Sequence, residues 1–181
     1  MRDQIHEQLA RLRLRGIGAA LDAELDRAEA EGSPASEVIW RLFAGEEAHR
    51  REKSLAYRLT QAKLPWHWTL DSFPFDRQPG VDRGQIRALA GLDFLRRNEN
   101  ILLIGPPGTG KTGIAIALLR EACLNGHAGR FYNAQLLLDE LYASLADRST
   151  PKLLAQLARL QPILIDELGY LTLKPEQSNA F

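Results

Sequence analysis

Apolar positions recur at helical spacing through the first third of the chain. Ile5, Leu9 and Leu12 share one face, as do Leu21, Leu25 and Ala28, which predicts two helices separated at Gly16-Ile17-Gly18. Gly32-Ser33-Pro34 closes the second. Ser36 is a candidate N-cap for a third helix reaching Ala62, with Glu46/Arg50 and Glu47/Arg51 spaced for i,i+4 ion pairs. The stretch from Leu64 to Gly80, LPWHWTLDSFPFDRQPG, carries three prolines and little periodicity, and reads as an aromatic linker. Asp82 can cap a helix running to about Arg97, with Ile86, Leu89 and Ala90 turned inward.

From Asn98 the pattern changes. Ile101 to Ile104 is a short apolar run between Asn100 and Gly105, the pattern of a strand buried on both faces of a parallel sheet. A helix is expected from about Lys111 to Asn125, a second strand over Arg130 to Asn133, helices over Ala134 to Ala146 and Pro151 to Leu160, and a third strand over Ile163 to Ile165. Alternating strands and helices predict an α/β fold, a parallel sheet with helices on both faces, preceded by an α-helical amino-terminal region. The expected organisation is a helical region over residues 1–63, a linker and lead-in helix over 64–97, and a nucleotide-binding core over 98–181.

The run GPPGTGKT matches G-x-x-x-x-G-K-[ST] in full and lies between an apolar run and an amphipathic segment, the context such a loop requires. A polyphosphate must be wrapped closely enough for backbone N–H groups to point at it, and Gly105, Gly108 and Gly110 permit the dihedrals and the approach. The helix that follows turns its positive end toward the same anion. Lys111 can reach the β- and γ-phosphates, and Thr112 can offer its hydroxyl to Mg²⁺. The candidate ATP-binding set is therefore Gly105, Pro106, Pro107, Gly108, Thr109, Gly110, Lys111, Thr112 and Gly113, with Lys111 also a candidate catalytic charge. Gly108, Gly110 and Gly113 also spell G-x-G-x-x-G, but the next strand ends in Tyr132-Asn133-Ala134, without the acid that a dinucleotide ribose needs.

A second constellation is PILIDELG, Pro162 to Gly169, whose apolar residues deliver Asp166 and Glu167 to the carboxyl edge of the sheet. Asp166 is placed to support the metal, and Glu167 to orient and polarise an attacking water as the catalytic acid-base group. A second acid favours hydrolysis over transfer to an acceptor hydroxyl. No arginine can be assigned as a finger.

Composition narrows the setting. Hydrophobic residues make up 45% and charged residues 25%, and no apolar run approaches the ~20 residues that cross a bilayer, so no membrane role is expected. Cys123 is the single cysteine, set among Leu118, Leu119, Ala122 and Leu124 as a small core residue, and a cytoplasmic, reducing location follows. Formal net charge is zero, so any nucleic-acid contact must be local. Arg11, Arg13 and Arg15, and separately Arg50, Arg51 and Lys53, can touch phosphates or simply form solvated faces. Trp66, His67 and Trp68 can stack on bases or pack a linker against a domain, and packing is favoured.

Beyond the loop and the acidic pair, YRLTQAKLP, TLDSFPF, DRGQIRALAGLDFL, NENILLIGPPGTGKTGIAIAL and ILIDELGYLTL follow one another in order. In this combination the chain resembles the IstB/DnaC group of AAA+ ATPases, and IstB, the helper of an insertion-sequence transposase, most of all. The resemblance implies a magnesium-dependent P-loop ATPase that assembles as a homo-oligomer on DNA and delivers target DNA to a transposase; a replicative-helicase loader, or a non-hydrolysing nucleotide-binding remnant, is the alternative. It places the Phe73 to Phe75 region near adenine, and Gly113 where the group commonly has histidine. It also implies elements after Phe181, beyond the helix that Pro175 and Glu176 open, so the core is expected to be incomplete at its carboxy terminus and turnover impaired.

Overall fold

A computed structural model describes residues 1–170, and the expected helix at Pro175 and Glu176 lies outside them. The chain divides into two compact units, Met1–Ala56 and the residues from Tyr57 onward.

The first unit is helical. Helix α1 (Arg2–Arg11) and helix α2 (Arg15–Glu31) pack together, with Arg2 bonded to Asp26 at 2.9 Å and His6 to Asp22 at 3.0 Å. The break between them falls at Leu12–Leu14, before the glycines expected to make it; Gly16 and Gly18 lie inside the first turns of α2. The reason sits thirty residues away, on helix α3 (Ala35–Gln61). Buried Glu46 accepts from the Gly16 and Ile17 N–H groups at 2.7 and 3.1 Å, capping α2 from outside its own sequence. A Cβ at Gly16 would lie 2.8 Å from the Glu46 Cα, so only glycine admits this approach. Gly32, at φ +64°, ends α2 in the left-handed conformation. Ser36 is not the N-cap of α3 but its second residue.

The unit from Tyr57 onward begins with the last turn of α3. Asp82 caps helix α4 (Arg83–Ala90), accepting from Gly84 N and Gln85 N, and a short helix α5 (Asp93–Arg96) follows. One helix to Arg97 was expected; Leu92, buried and at φ +60°, interrupts it, so that Leu92 and Leu95 pack with Ala122. Helix α6 (Lys111–Leu124) is apolar nearly all round and forms the centre of the core, with Ile116, Ala117, Ala122 and Cys123 fully buried. Burial pushes the Cys123 thiol pKa up, so it stays protonated as a core residue.

Strand β1 (Arg130–Asn133), helix α7 (Ala134–Ala146), helix α8 (Thr150–Leu157) and strand β2 (Ile163–Asp166) complete the order. β1 and β2 run parallel, in a register that pairs Arg130 with Ile163 and Asn133 with Asp166. α6 packs against both strands and α7 against β1. The outer edge of β1 is covered, since Phe131 N donates to the Ala62 carbonyl at 2.9 Å. The result is a largely helical α/β unit around a small parallel sheet.

Ile101 to Ile104 departs from expectation. It joins no ladder among the described residues, and Leu102 and Ile104 are 72% and 83% exposed. An apolar run becomes a strand only where a neighbouring edge satisfies its N–H and C=O groups. Here a cleft separates it from β2, and no described strand lies between.

Candidate functional site

The loop from Gly105 to Gly110 leads directly into α6. Gly108 and Gly110 adopt φ of +78° and +81°, conformations that L side chains rarely take, and Gly110 is the N-cap of α6. The Thr109 hydroxyl donates to the Pro106 carbonyl at 2.9 Å and draws the loop into a tight bend. Lys111 Nζ folds back over it and donates to the Gly105 and Pro106 carbonyls, both at 2.8 Å. Pro107 and Gly108 are exposed at its crest, while Gly113 is buried one turn into α6.

Two contacts brace the loop from the aromatic stretch preceding α4. Phe73 is buried beneath it with Ile86, Ile114 and Leu118, and a Cβ on Gly110 would lie 2.6 Å from the ring. Gln78 Nε2 donates to the Gly108 carbonyl at 3.1 Å. Phe75 meets Phe73 edge-on, with the Arg83 guanidinium 5.3 Å from the Phe75 ring centre. Trp68 also joins this core, the packing role expected of it.

The two sequence constellations meet across 54 residues. Thr112, in the first turn of α6, donates its hydroxyl to Asp166 Oδ1 at 3.1 Å. β2 ends at Asp166, and Glu167 follows at φ +62°, an uncommon conformation for a residue with a side chain. Asn133 Nδ2 holds the Glu167 carboxylate at 2.6 Å, while its own Oδ1 accepts from Gln135 N and Leu136 N to cap α7. Thr112, Asp166 and Glu167 open, with Lys111, on a cavity of about 1250 Å³, walled by the Ile101 to Ile104 run on one side and β2 on the other.

The arrangement suits a bound polyphosphate with a hard cation. Thr112 and Asp166 supply two oxygen donors beside a helix N-terminus. Magnesium usually takes one or two protein oxygens and fills its octahedron with water and phosphate. No cluster of three or more His, Cys, Asp or Glu side chains able to hold a metal by themselves occurs among the described residues.

Three contributors were not read from the sequence: Asn133, Gln78 and the placement of Phe73. For Asn133 a signal was present. Asn133 closes the second apolar run as Asp166 and Glu167 close the third, which puts all three at one sheet edge, while the register that pairs Asn133 with Asp166 comes from the structure alone. Of the basic residues weighed for DNA, Arg50 is bonded to Glu46 at 2.6 Å and Arg51 to Glu47 at 2.7 Å, though both remain largely exposed.

The family described as IstB-like ATP binding protein matches residues 7–181. A Pseudomonas aeruginosa protein, named as an ATP-binding protein of insertion sequence IS21, is 35% identical over 96% of this chain and 65% of its own length. A Geobacillus stearothermophilus relative, named for insertion sequence IS5376, is 35% identical over 99% of this chain and 71% of its own. An IS21-like relative from Bacteroides fragilis is 33% identical over 96% of this chain and 87% of its own. The chain thus spans about two thirds of the length of the first two. With a glycine-rich loop, its lysine and an Asp-Glu pair gathered on one cleft, and with this match across nearly every residue, the chain belongs to the IstB-like ATP-binding protein family.

Proposed function

We propose that the chain binds ATP with Mg²⁺ at the Gly105 to Gly113 loop and acts as a P-loop ATPase of the AAA+ type, assisting DNA transposition by ATP-dependent assembly on target DNA. The observation that carries the reading is the hydrogen bond between Thr112 and Asp166, which joins the loop to the acidic pair. The loop's N–H groups and Lys111 receive the phosphates; Thr112 and Asp166 would hold the ion, which would supply charge neutralisation at the phosphates as ADP departs from the γ-phosphorus. Glu167 takes the proton of the attacking water. Association with a transposase, rather than a replicative helicase, is favoured because the relatives are named for insertion sequences. Homo-oligomers form on the DNA in this reading.

Lys111→Ala is the direct test. Hydrogen bonds to a charged group contribute about 1.5–3 kcal/mol, so affinity for a fluorescent ATP analogue with Mg²⁺ should fall at least about tenfold. Unchanged affinity in a variant that melts like the wild type would refute the nucleotide assignment.

A further inference from the structure

We propose that a second pocket, beside the end of α3, receives one unstacked nucleotide of a single-stranded stretch of DNA. It is a cavity of about 380 Å³ in the unit from Tyr57 onward, apart from the phosphate loop. Leu59 and Leu64 give it an apolar part of its lining, beside Thr60, Lys63, Trp66, His67 and Arg120. The chain turns sharply here: α3 stops at Gln61 and Lys63 takes φ +48°, which brings Trp66 and His67 back alongside the helix end.

The two tryptophans of the WHW run have opposite fates. Trp68 is withdrawn into the core against Phe73, whereas Trp66 is left 58% exposed. No carboxylate lines the pocket, and Lys63, His67 and Arg120 form no ion pair among the described residues. In the first unit Arg2, Arg27, Arg41, Arg50 and Arg51 meet acids, and what sets Lys63, His67 and Arg120 apart is that they gather at one cavity beside an exposed indole. In a chain of zero net charge, basic groups left unpaired around an exposed indole define a local site for something both anionic and planar.

A nucleotide meets both demands, its phosphate between the basic groups and its base on the indole face. The volume lies at the small end of ligand pockets. Such a pocket suits one unit of a polymer, whose further phosphates add affinity elsewhere on the chain. Paired bases hide their faces in the duplex stack, so the indole selects unpaired ones. The choice of DNA rests on the proposed function; the pocket's preference for unpaired over paired strands does not.

The test uses the full chain with a short fluorescein-labelled oligothymidylate and a labelled duplex, read by anisotropy at two salt concentrations. Trp66→Ala should weaken oligothymidylate binding roughly tenfold and leave duplex binding within experimental error, with Trp66→Phe restoring most of the loss. Lys63→Ala and Arg120→Ala should each flatten the salt dependence by roughly 0.7 in log–log slope for every phosphate contact removed. Equal losses for both forms of DNA, no loss for either, or displacement of the oligonucleotide by free thymidine monophosphate at matched nucleotide concentration would each overturn the pocket assignment. Those outcomes leave ATP binding and duplex binding standing. A wild type that binds neither form of DNA overturns the pocket and the DNA part of the proposed function together.

Discussion

A carboxylate that is to take a proton from water needs a free oxygen aimed at that water, and Glu167 has one oxygen already taken. Asn133 holds it at 2.6 Å and is itself fixed by the two amides it caps, so the glutamate's position is set by the start of α7. Asp166 is tied in the other direction, to the Thr112 hydroxyl. Two adjacent acids on one strand end are thereby given different partners, and different consequences follow from removing them. Glu167→Gln keeps the shape and the bond to Asn133 but gives up the basic oxygen. Nucleotide affinity should stay near wild type while turnover falls about 10²–10⁴-fold, the usual contribution of a general base. Asp166→Ala should instead remove the magnesium-dependent part of the affinity. Titrations with and without Mg²⁺, alongside phosphate release, separate the two; matching effects on binding and turnover would contradict the division. The bend of the loop was legible, because Gly108 and Gly110 stand where a phosphate-wrapping loop needs special dihedrals. The Asn133–Glu167 bond was not, since it depends on strand register.

At the scale of elements, local patterns were reliable where local forces decide. β1, α7 and β2 lie where their apolar runs and flanking residues put them, and Asp82 and Asn133 act as caps through their own side chains. Patterns failed where a distant residue intervenes. Gly16 and Gly18 carry the usual mark of a break, yet Glu46 supplies the missing acceptors and the helix starts before them. The Arg50 guanidinium, hydrogen-bonded to it, and then the Ile17 and Gly16 amides hold the Glu46 carboxyl below the usual glutamate pKa. A depressed folded-state pKa contributes stability that is fully present above the unfolded value, about 4.3, and is lost as pH falls through the folded one. Glu46→Gln should therefore lower the melting temperature at neutral pH. The gap from wild type should close as pH drops below about 4. A gap that is constant across that range would mean the carboxylate's charge is not what stabilises the start of α2.

For the whole molecule, stability and openness are distributed unequally. α6 carries the buried centre, while the Ile101 to Ile104 run borders an open cleft. The same residue type should therefore answer differently in the two places. Ile116→Ala, at a fully buried site, should cost about 2–5 kcal/mol in denaturant unfolding. Ile104→Ser should change stability by no more than about 0.5 kcal/mol. Similar losses at both would mean that the run is packed in solution, against the exposure seen here. That run also marks what an apolar pattern leaves out: it records a preference for burial but not whether a neighbouring strand is there to provide it.

The ammonium of Lys111 rests on the carbonyls of Gly105 and Pro106, two acceptors within the loop itself. An incoming anion must offer the lysine more than two good acceptors already at hand, so the net gain from that contact is a difference rather than a sum. A molecule whose phosphates do not extend to Lys111 leaves the internal bonds undisturbed and forgoes this gain. One that reaches it must break them first. Affinity should therefore rise with phosphate number only by the amount by which the anion outbids those two carbonyls.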